Sequence, residues 1–183
     1  MHRKLVLDDI DEALISELQK DGRLSLVDLG RRVGLRHSSV RSRLIKLVKE
    51  NLIKVTALLN YKKLDLKLAL VGLSVRNLEK NMSKLRNLCQ CHHVVYLFQL
   101  VGGKYNVLLL FVYRNESKLR AFIEKRIRTI PDIDDIEVTL VDTAVPIFLP
   151  IRLGALKEAP ICSQECTTCG LREVICTGCD VGR

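Results

Sequence analysis

The interval between apolar residues changes once along this chain, near Asn60, and that change predicts two small modules in place of one layered domain. From Leu7 to Leu59 the interval is helical in three successive sets: Ile10, Leu14 and Leu18, then Leu26, Leu29 and Val33, then Val40, Leu44, Leu47 and Val48. Each set reads as one short helix. Asp8 or Asp9 can cap the first and Asp21-Gly22 ends it. Ser25 with Asp28 three residues on resembles a capping box, with Leu24 and Leu29 placed as its hydrophobic staple. Gly34 then breaks the chain so that the third helix crosses the second steeply, which is helix-turn-helix geometry. Ile53 to Leu59 reads as a short β-rich exit or wing.

Beyond Asn60 strands enter. Leu66 to Val75 is a strand-like run, and Met82, Leu85 and Cys89 mark a helix face. His93 to Val101 and Tyr105 to Tyr113 are apolar strands joined through Gly102-Gly103. Leu119, Phe122, Ile123 and Ile127 mark a second helix, Pro131 stops it, and Ile136 to Val145 is a last strand. The order βαββαβ is the ferredoxin-like arrangement. The expected fold is therefore α+β: a (winged) helix-turn-helix domain over residues 1–60, a ferredoxin-like dimerisation domain over 61–150 and a cysteine-rich tail over 151–183. In that topology both helices lie on one face of the sheet. Val107 to Val112 is apolar on both faces and no element is left to cover the second, so a dimer through that face is expected.

The formal net charge of +9 favours a polyanionic partner. On the third helix Arg36, His37, Ser38, Ser39, Arg41, Ser42, Arg43 and Lys46 lie at or just after the N-terminus, the end a recognition helix pushes into the major groove. Arginine pairs bidentately with guanine, and serine serves bases or phosphates. A solvated basic helix face is the bland alternative; the turn before this helix favours double-stranded DNA. Arg36 stands where an N-cap serine is common, so Ser38 or the backbone is expected to take over the capping. If Arg43 reads a base, Arg43→Ala should weaken operator binding by roughly 1–3 kcal/mol. No apolar run reaches the roughly 18 residues that span a bilayer, and Met1-His2-Arg3-Lys4-Leu5 passes into acidic residues, so a cytoplasmic protein with no membrane partner is expected.

The tail carries 4 basic and 4 acidic groups and cannot grip DNA by bulk charge, so its cysteines need another role. Cys162, Cys166, Cys169, Cys176 and Cys179 include two Cys-x2-Cys pairs resembling zinc-ribbon knuckles, and four of the five thiolates in a tetrahedron suit zinc. The Cys162-x3-Cys166-x2-Cys169 spacing also occurs at the cluster of radical-SAM enzymes, but only 14 residues follow it, too few for their barrel. A plain 4Fe-4S cluster, or a set of disulfides, stays open. Cys89-Gln90-Cys91-His92-His93 gathers ligand types at the junction of a helix and a strand, where alternate residues point apart, so the bland reading is preferred there.

This order of parts resembles the leucine-responsive, or Lrp/AsnC (feast/famine), regulator family over roughly residues 5–150. The matching stretches are Leu7-Asp8-Asp9-Ile10-Asp11, Asp21-Gly22-Arg23, Leu29 to Leu35, Val40-Arg41-Ser42-Arg43-Leu44 with Leu47, and Asn51-Leu52-Ile53. The resemblance implies a transcription regulator that is a homodimer, assembling further into tetramers or octamers, binds palindromic sites, and is modulated by a small-molecule effector of the amino-acid class. It also marks Gly103, Tyr105 and Asn106 as ligand-binding candidates. Where the family loop usually reads Gly-x-x-Asp, Gly103-Lys104-Tyr105-Asn106 offers a neutral amide, which removes a charge partner for an ammonium. The cysteine tail is absent from common members.

An enzyme is the rival reading. Sirohaem decarboxylases are similar to this family in fold, and His92, His93 and Lys104 would be the groups to meet a tetrapyrrole, but a basic recognition helix is of no use to such an enzyme. A third reading has the neutral tail dock on a protein of the transcription machinery. No Gly-x-x-x-x-Gly-Lys loop, Gly-x-Ser-x-Gly elbow or His-Glu-x-x-His motif occurs.

Overall fold

In the computed structural model, which describes residues 7–156, the change of period becomes a division between Thr56 and Ala57 into two units. The first holds α1 (Asp9–Lys20), α2 (Leu26–Val33) and α3 (His37–Lys49). Leu14, Leu29 and Val40 form its buried centre, one from each helix, as the spacing predicts.

Each helix end has a local cause. Asp8 caps α1 by accepting the Asp11 backbone N–H at 2.8 Å. Ser25 caps α2 by accepting from the Asp28 backbone at 3.1 Å, while its hydroxyl donates to the Asp28 carboxylate at 2.6 Å. Gly34, at φ 72°, ends α2 in the left-handed region, and the Leu35 N–H returns to the Gly30 carbonyl at 2.8 Å. At the start of α3 no side chain caps; the Ser39 and Val40 N–H groups donate to the Arg36 carbonyl, so the backbone takes this task and Ser38 does not. Asn51, at φ 55°, closes α3 with paired bonds from Asn51 N–H to Val48 O and from Leu52 N–H to Leu47 O.

Residues 53–58 form no strand, which corrects the expected wing. The chain instead makes β1 (Leu59–Asn60), whose antiparallel partner is β6 (Phe148–Leu149) from the far end of the described chain. A wing needs a nearby second strand, and none follows.

The second unit runs β2 (Lys67–Val75), α4 (Leu78–Leu88), β3 (Val94–Gln99), β4 (Val107–Tyr113), α5 (Glu116–Phe122) and β5 (Ile133–Val141). The sheet order β3-β4-β2-β5 with antiparallel pairs is the predicted βαββαβ layout. Alternate residues Ala69, Val71, Leu73 and Val75 of β2 and Val107, Leu109, Phe111 and Tyr113 of β4 meet Leu85, Leu88, Leu119, Phe122 and Ile127 in the main core. The buried face of α4 is Asn81, Leu85 and Leu88, with Cys89 exposed, which corrects the Met82, Leu85, Cys89 stripe. Asn81 shifts the face: its amide donates to Asn77 O at 3.1 Å and to the Asp132 carboxylate at 3.1 Å, so a polar residue is buried where an apolar one was expected.

The opposite sheet face is partly clothed by the chain itself. Tyr61, Leu66, Leu149, Ile151 and Ala155 pack on Leu68 and Val112 in a second cluster, an element the sequence reading missed. The rest stays open: Tyr96 and Phe98 are 42% and 44% exposed, and the register sets them opposite half-buried Leu110 and Leu108. Arg152 fastens the last described stretch by donating to the carbonyls of Cys89 at 2.8 Å, of Val94 at 3.0 Å and of Cys91.

His93 generates a pH prediction. Its ring stacks on Phe111 and shares a hydrogen bond with the Val112 carbonyl at 2.8 Å, and burial pushes the imidazole below its ordinary 6.5. The unfolded chain then binds a proton that the folded chain refuses, so this group's stabilisation is full above pH 6.5 and is lost as pH falls through 6.5 toward the depressed folded value. Thermal melts should weaken over that window by at most about 1.4 kcal/mol per pH unit. His93→Asn, which keeps a donor for Val112, should flatten the dependence; an unchanged slope in that variant would exonerate His93.

Candidate nucleic-acid interface

Successive residues of an α-helix are turned by about 100°, so the buried pair Val40 and Leu47 fixes which way α3 faces. Directly opposite lie Ser38, Ser42, Ile45 and Lys49, with Arg41 on one flank and Ser39 and Lys46 on the other, all exposed. Arg36 and His37 are exposed at the N-terminal end. The structure thus brings seven of the eight predicted residues, Arg36, His37, Ser38, Ser39, Arg41, Ser42 and Lys46, to one accessible end and face of α3. An open cleft of about 560 Å³, lined by Asp8, Leu35, Ser39, Ser42, Arg43 and Lys46, runs along one flank. The Ser42 hydroxyl donates to the Ser38 carbonyl at 3.1 Å, which leaves its oxygen free to accept.

Arg43 is placed differently. It is turned away from the centre of that face toward α1, where Nη1 donates to Asp8 Oδ2 at 2.6 Å and to Asp11 Oδ1 at 2.8 Å. The hydrogen bond from Arg43 holds the Asp8 carboxyl below the usual carboxylate range. Farther along α1, Glu17 accepts from Arg32 of α2 at 2.6 Å.

The loop predicted to hold a ligand lies in the other unit. Gly102 and Gly103 adopt positive φ, 134° and 88°, and swing Lys104 and Tyr105 over the sheet. The Tyr105 ring covers Gly72, where a Cβ would come within 3.0 Å of it. Its hydroxyl donates to Glu137 at 2.5 Å, and Lys104 pairs with Asp135 at 2.8 Å. These partners raise the Tyr105 hydroxyl, through Glu137 first, and the Lys104 ammonium, through Asp135 first. The sequence reading missed Asp135 and Glu137; alternate residues of one strand share a face, and that was the available signal. Asn106 does not join this group. Both ends of its amide are bound to Val75, Oδ1 accepting from the backbone N–H at 2.9 Å and Nδ2 donating to the carbonyl at 2.7 Å.

The tail cysteines Cys162, Cys166, Cys169, Cys176 and Cys179 lie outside the described residues. Among the described residues no three His, Cys, Asp or Glu side chains converge on a metal position. Cys91 and His93 are buried, Cys89 is exposed, and the His92 ring lies against Gly154. No helix among the described residues is long and apolar enough to cross a membrane.

The AsnC-type helix-turn-helix domain family matches residues 7–48, the stretch that forms α1 to α3. Over a longer span the chain is 31% identical, across 140 residues, to the leucine-responsive regulatory protein of Escherichia coli, an alignment covering 70% of this chain and 80% of that protein. The chain belongs to the Lrp/AsnC family. Its similarity to the transcriptional regulator AzlB of Bacillus subtilis is 29% over 141 residues, covering 75% of this chain and 89% of that one. The feast or famine regulatory protein of Mycobacterium tuberculosis, solved in complex with L-methionine, matches with a TM-score of 0.66 at 27% identity, over 76% of this chain and 95% of that one. Lrp/AsnC proteins are DNA-binding transcription regulators and not enzymes, so the tetrapyrrole reading is set aside.

Asn106→Ala strands both backbone groups of Val75 and should cost about 1–3 kcal/mol in a denaturant melt. Asn106→Asp should cost at least as much at neutral pH, because a carboxylate would face the Val75 carbonyl. Its deficit relative to wild type should shrink as pH falls toward about 4 and the acid regains a donor.

Proposed function

We propose that this Lrp/AsnC regulator binds palindromic double-stranded DNA as a homodimer and reads sequence with the exposed end of α3. The observation that carries the reading is the clustering of exposed Ser38, Ser39, Arg41, Ser42 and Lys46 around the side of α3 away from buried Val40 and Leu47, with Arg36 and His37 exposed at its N-terminal end. In the major groove Arg41 and Ser42 are the base-reading candidates, while Arg36 and Lys46 meet phosphates. A second copy accounts for the uncovered sheet face around Tyr96, Phe98, Leu108 and Leu110, and a two-fold pair supplies one recognition helix to each half-site about 34 Å apart.

A small-molecule effector is proposed at the loop from Gly103 to Asn106. With Asn106 committed to Val75, the groups on offer are Lys104, Tyr105, Asp135 and Glu137. A zwitterion entering there would exchange existing ion pairs for its own charges. For the tail we propose zinc held by four of the five thiolates, since soft sulfur donors in Cys-x2-Cys pairs match its tetrahedral preference. The second reading, a 4Fe-4S cluster, is favoured by the Cys162-x3-Cys166-x2-Cys169 spacing.

Selection of bound sequences from random DNA should return a palindrome, and Arg41→Ala should lower affinity for it by roughly 1–3 kcal/mol and loosen the preference at one base pair per half-site. Recovery of no preferred sequence would end this reading. Metal analysis of protein purified without air should give one zinc per chain; iron with sulfide and a brown colour would replace zinc by the cluster.

A further inference from the structure

We infer that Arg43 is a positioning residue, one that sets the roll of α3 against α1 through Asp8 and Asp11 and contacts neither base nor phosphate. The inference rests on the reading of α3 as the recognition helix and adds how that helix is aimed.

Three observations carry it. Arg43 sits three residues after Val40 and four before Leu47, so it is turned by about 120° from the centre of the exposed face. Its one nitrogen bridges two carboxylates on α1 at 2.6 Å and 2.8 Å. Both acids are themselves fixed: Asp8 is the N-cap of α1, and the Asp11 side chain is only 9% exposed.

A guanidinium that left for DNA would strand Asp11 as a buried charge without its cation, which folded proteins avoid. Two carboxylates at 2.6 Å and 2.8 Å already satisfy the guanidinium, so a phosphate would have to compete with both for it. The bridge nevertheless matters for reading. Rotation of α3 about its own axis moves Ser38, Arg41, Ser42 and Lys46 together, and a bridge to α1 near the middle of the helix limits that rotation. Arg32 and Glu17 tie α2 to the same helix, so α1 serves as a rail that indexes both arms of the motif.

The test compares the full chain with Arg43→Ala, Arg43→Lys and Asp8→Asn by sequence selection and by salt titration of binding to the selected site and to unrelated DNA. If wild type selects nothing, the DNA-reading proposal fails first, and the result is separate from the one tested here. Given a wild-type consensus, Arg43→Ala should keep it at every position and keep the slope of log affinity against log salt. The ratio of specific to non-specific affinity should fall about tenfold or more, and Asp8→Asn, which removes no cation, should lower that ratio in the same direction. Should Arg43→Ala fail to fold, Arg43→Lys and Asp8→Asn carry the comparison. A slope shallower by about one unit per protomer would make Arg43 a phosphate contact. Loosening at one base pair per half-site would make it a reader. Either result overturns the inference, as does an unchanged ratio in Arg43→Ala or in Asp8→Asn.

Discussion

At Gly30 there is no room for a side chain. The Leu35 carbonyl oxygen lies 2.4 Å from where a Cβ would stand, and the Leu35 N–H is bonded to the Gly30 carbonyl at 2.8 Å. Backbone here packs on backbone, so the turn between α2 and α3 closes to one geometry, and Gly34 supplies the left-handed φ that the closure needs. Everything asked of the first unit depends on this contact. The crossing of α2 and α3 decides which side of α3 is buried on Leu14 and Leu29, and therefore which side is left for DNA. Acids along α1 then hold the two arms by charge, at Glu17 for Arg32 and at Asp8 and Asp11 for Arg43. Shape fixes the angle and electrostatics fixes the roll.

The second unit is governed by a shortage of cover. Its sheet is apolar on both sides, while α4 and α5 serve only one. The chain makes up part of the difference with short irregular segments from both ends of the unit: Tyr61 and Leu66 on entry, Leu149, Ile151 and Ala155 on exit. Arg152 holds the exit segment in place at the carbonyls that close α4, where a cation also offsets the negative end of the helix. What remains bare is the half of the face bearing Tyr96 and Phe98, where the second copy is proposed.

Much of this was legible in the sequence because burial is periodic. The three apolar stripes, the caps at Asp8 and Ser25, the break at Gly34 and the βαββαβ order all follow from spacing and from residue types with a fixed local habit. The misses share a cause: they are contacts between residues distant in the chain, or polar groups whose partner is backbone. Gly30 in mid-helix carries no periodic signal, because its constraint comes from a carbonyl in the next turn. Asn81 broke the α4 stripe because its partner is Asp132, past the next helix. Two-residue strands such as β1 and β6 are too short to show alternation. That the Asn106 amide copies a strand neighbour for Val75 was likewise invisible from its place in the loop. The tail cysteines speak through donor chemistry alone.

The ring of Tyr105 lies over Gly72, and Gly72 belongs to the open side of the sheet. The loop therefore plugs a notch on the same sheet face that carries Tyr96 and Phe98. A molecule that drew Tyr105 aside would change the relief of that surface at once. The effector site and the subunit contact proposed above would then be neighbours on one sheet face, with Leu108 of β4 between Gly72 and Phe98.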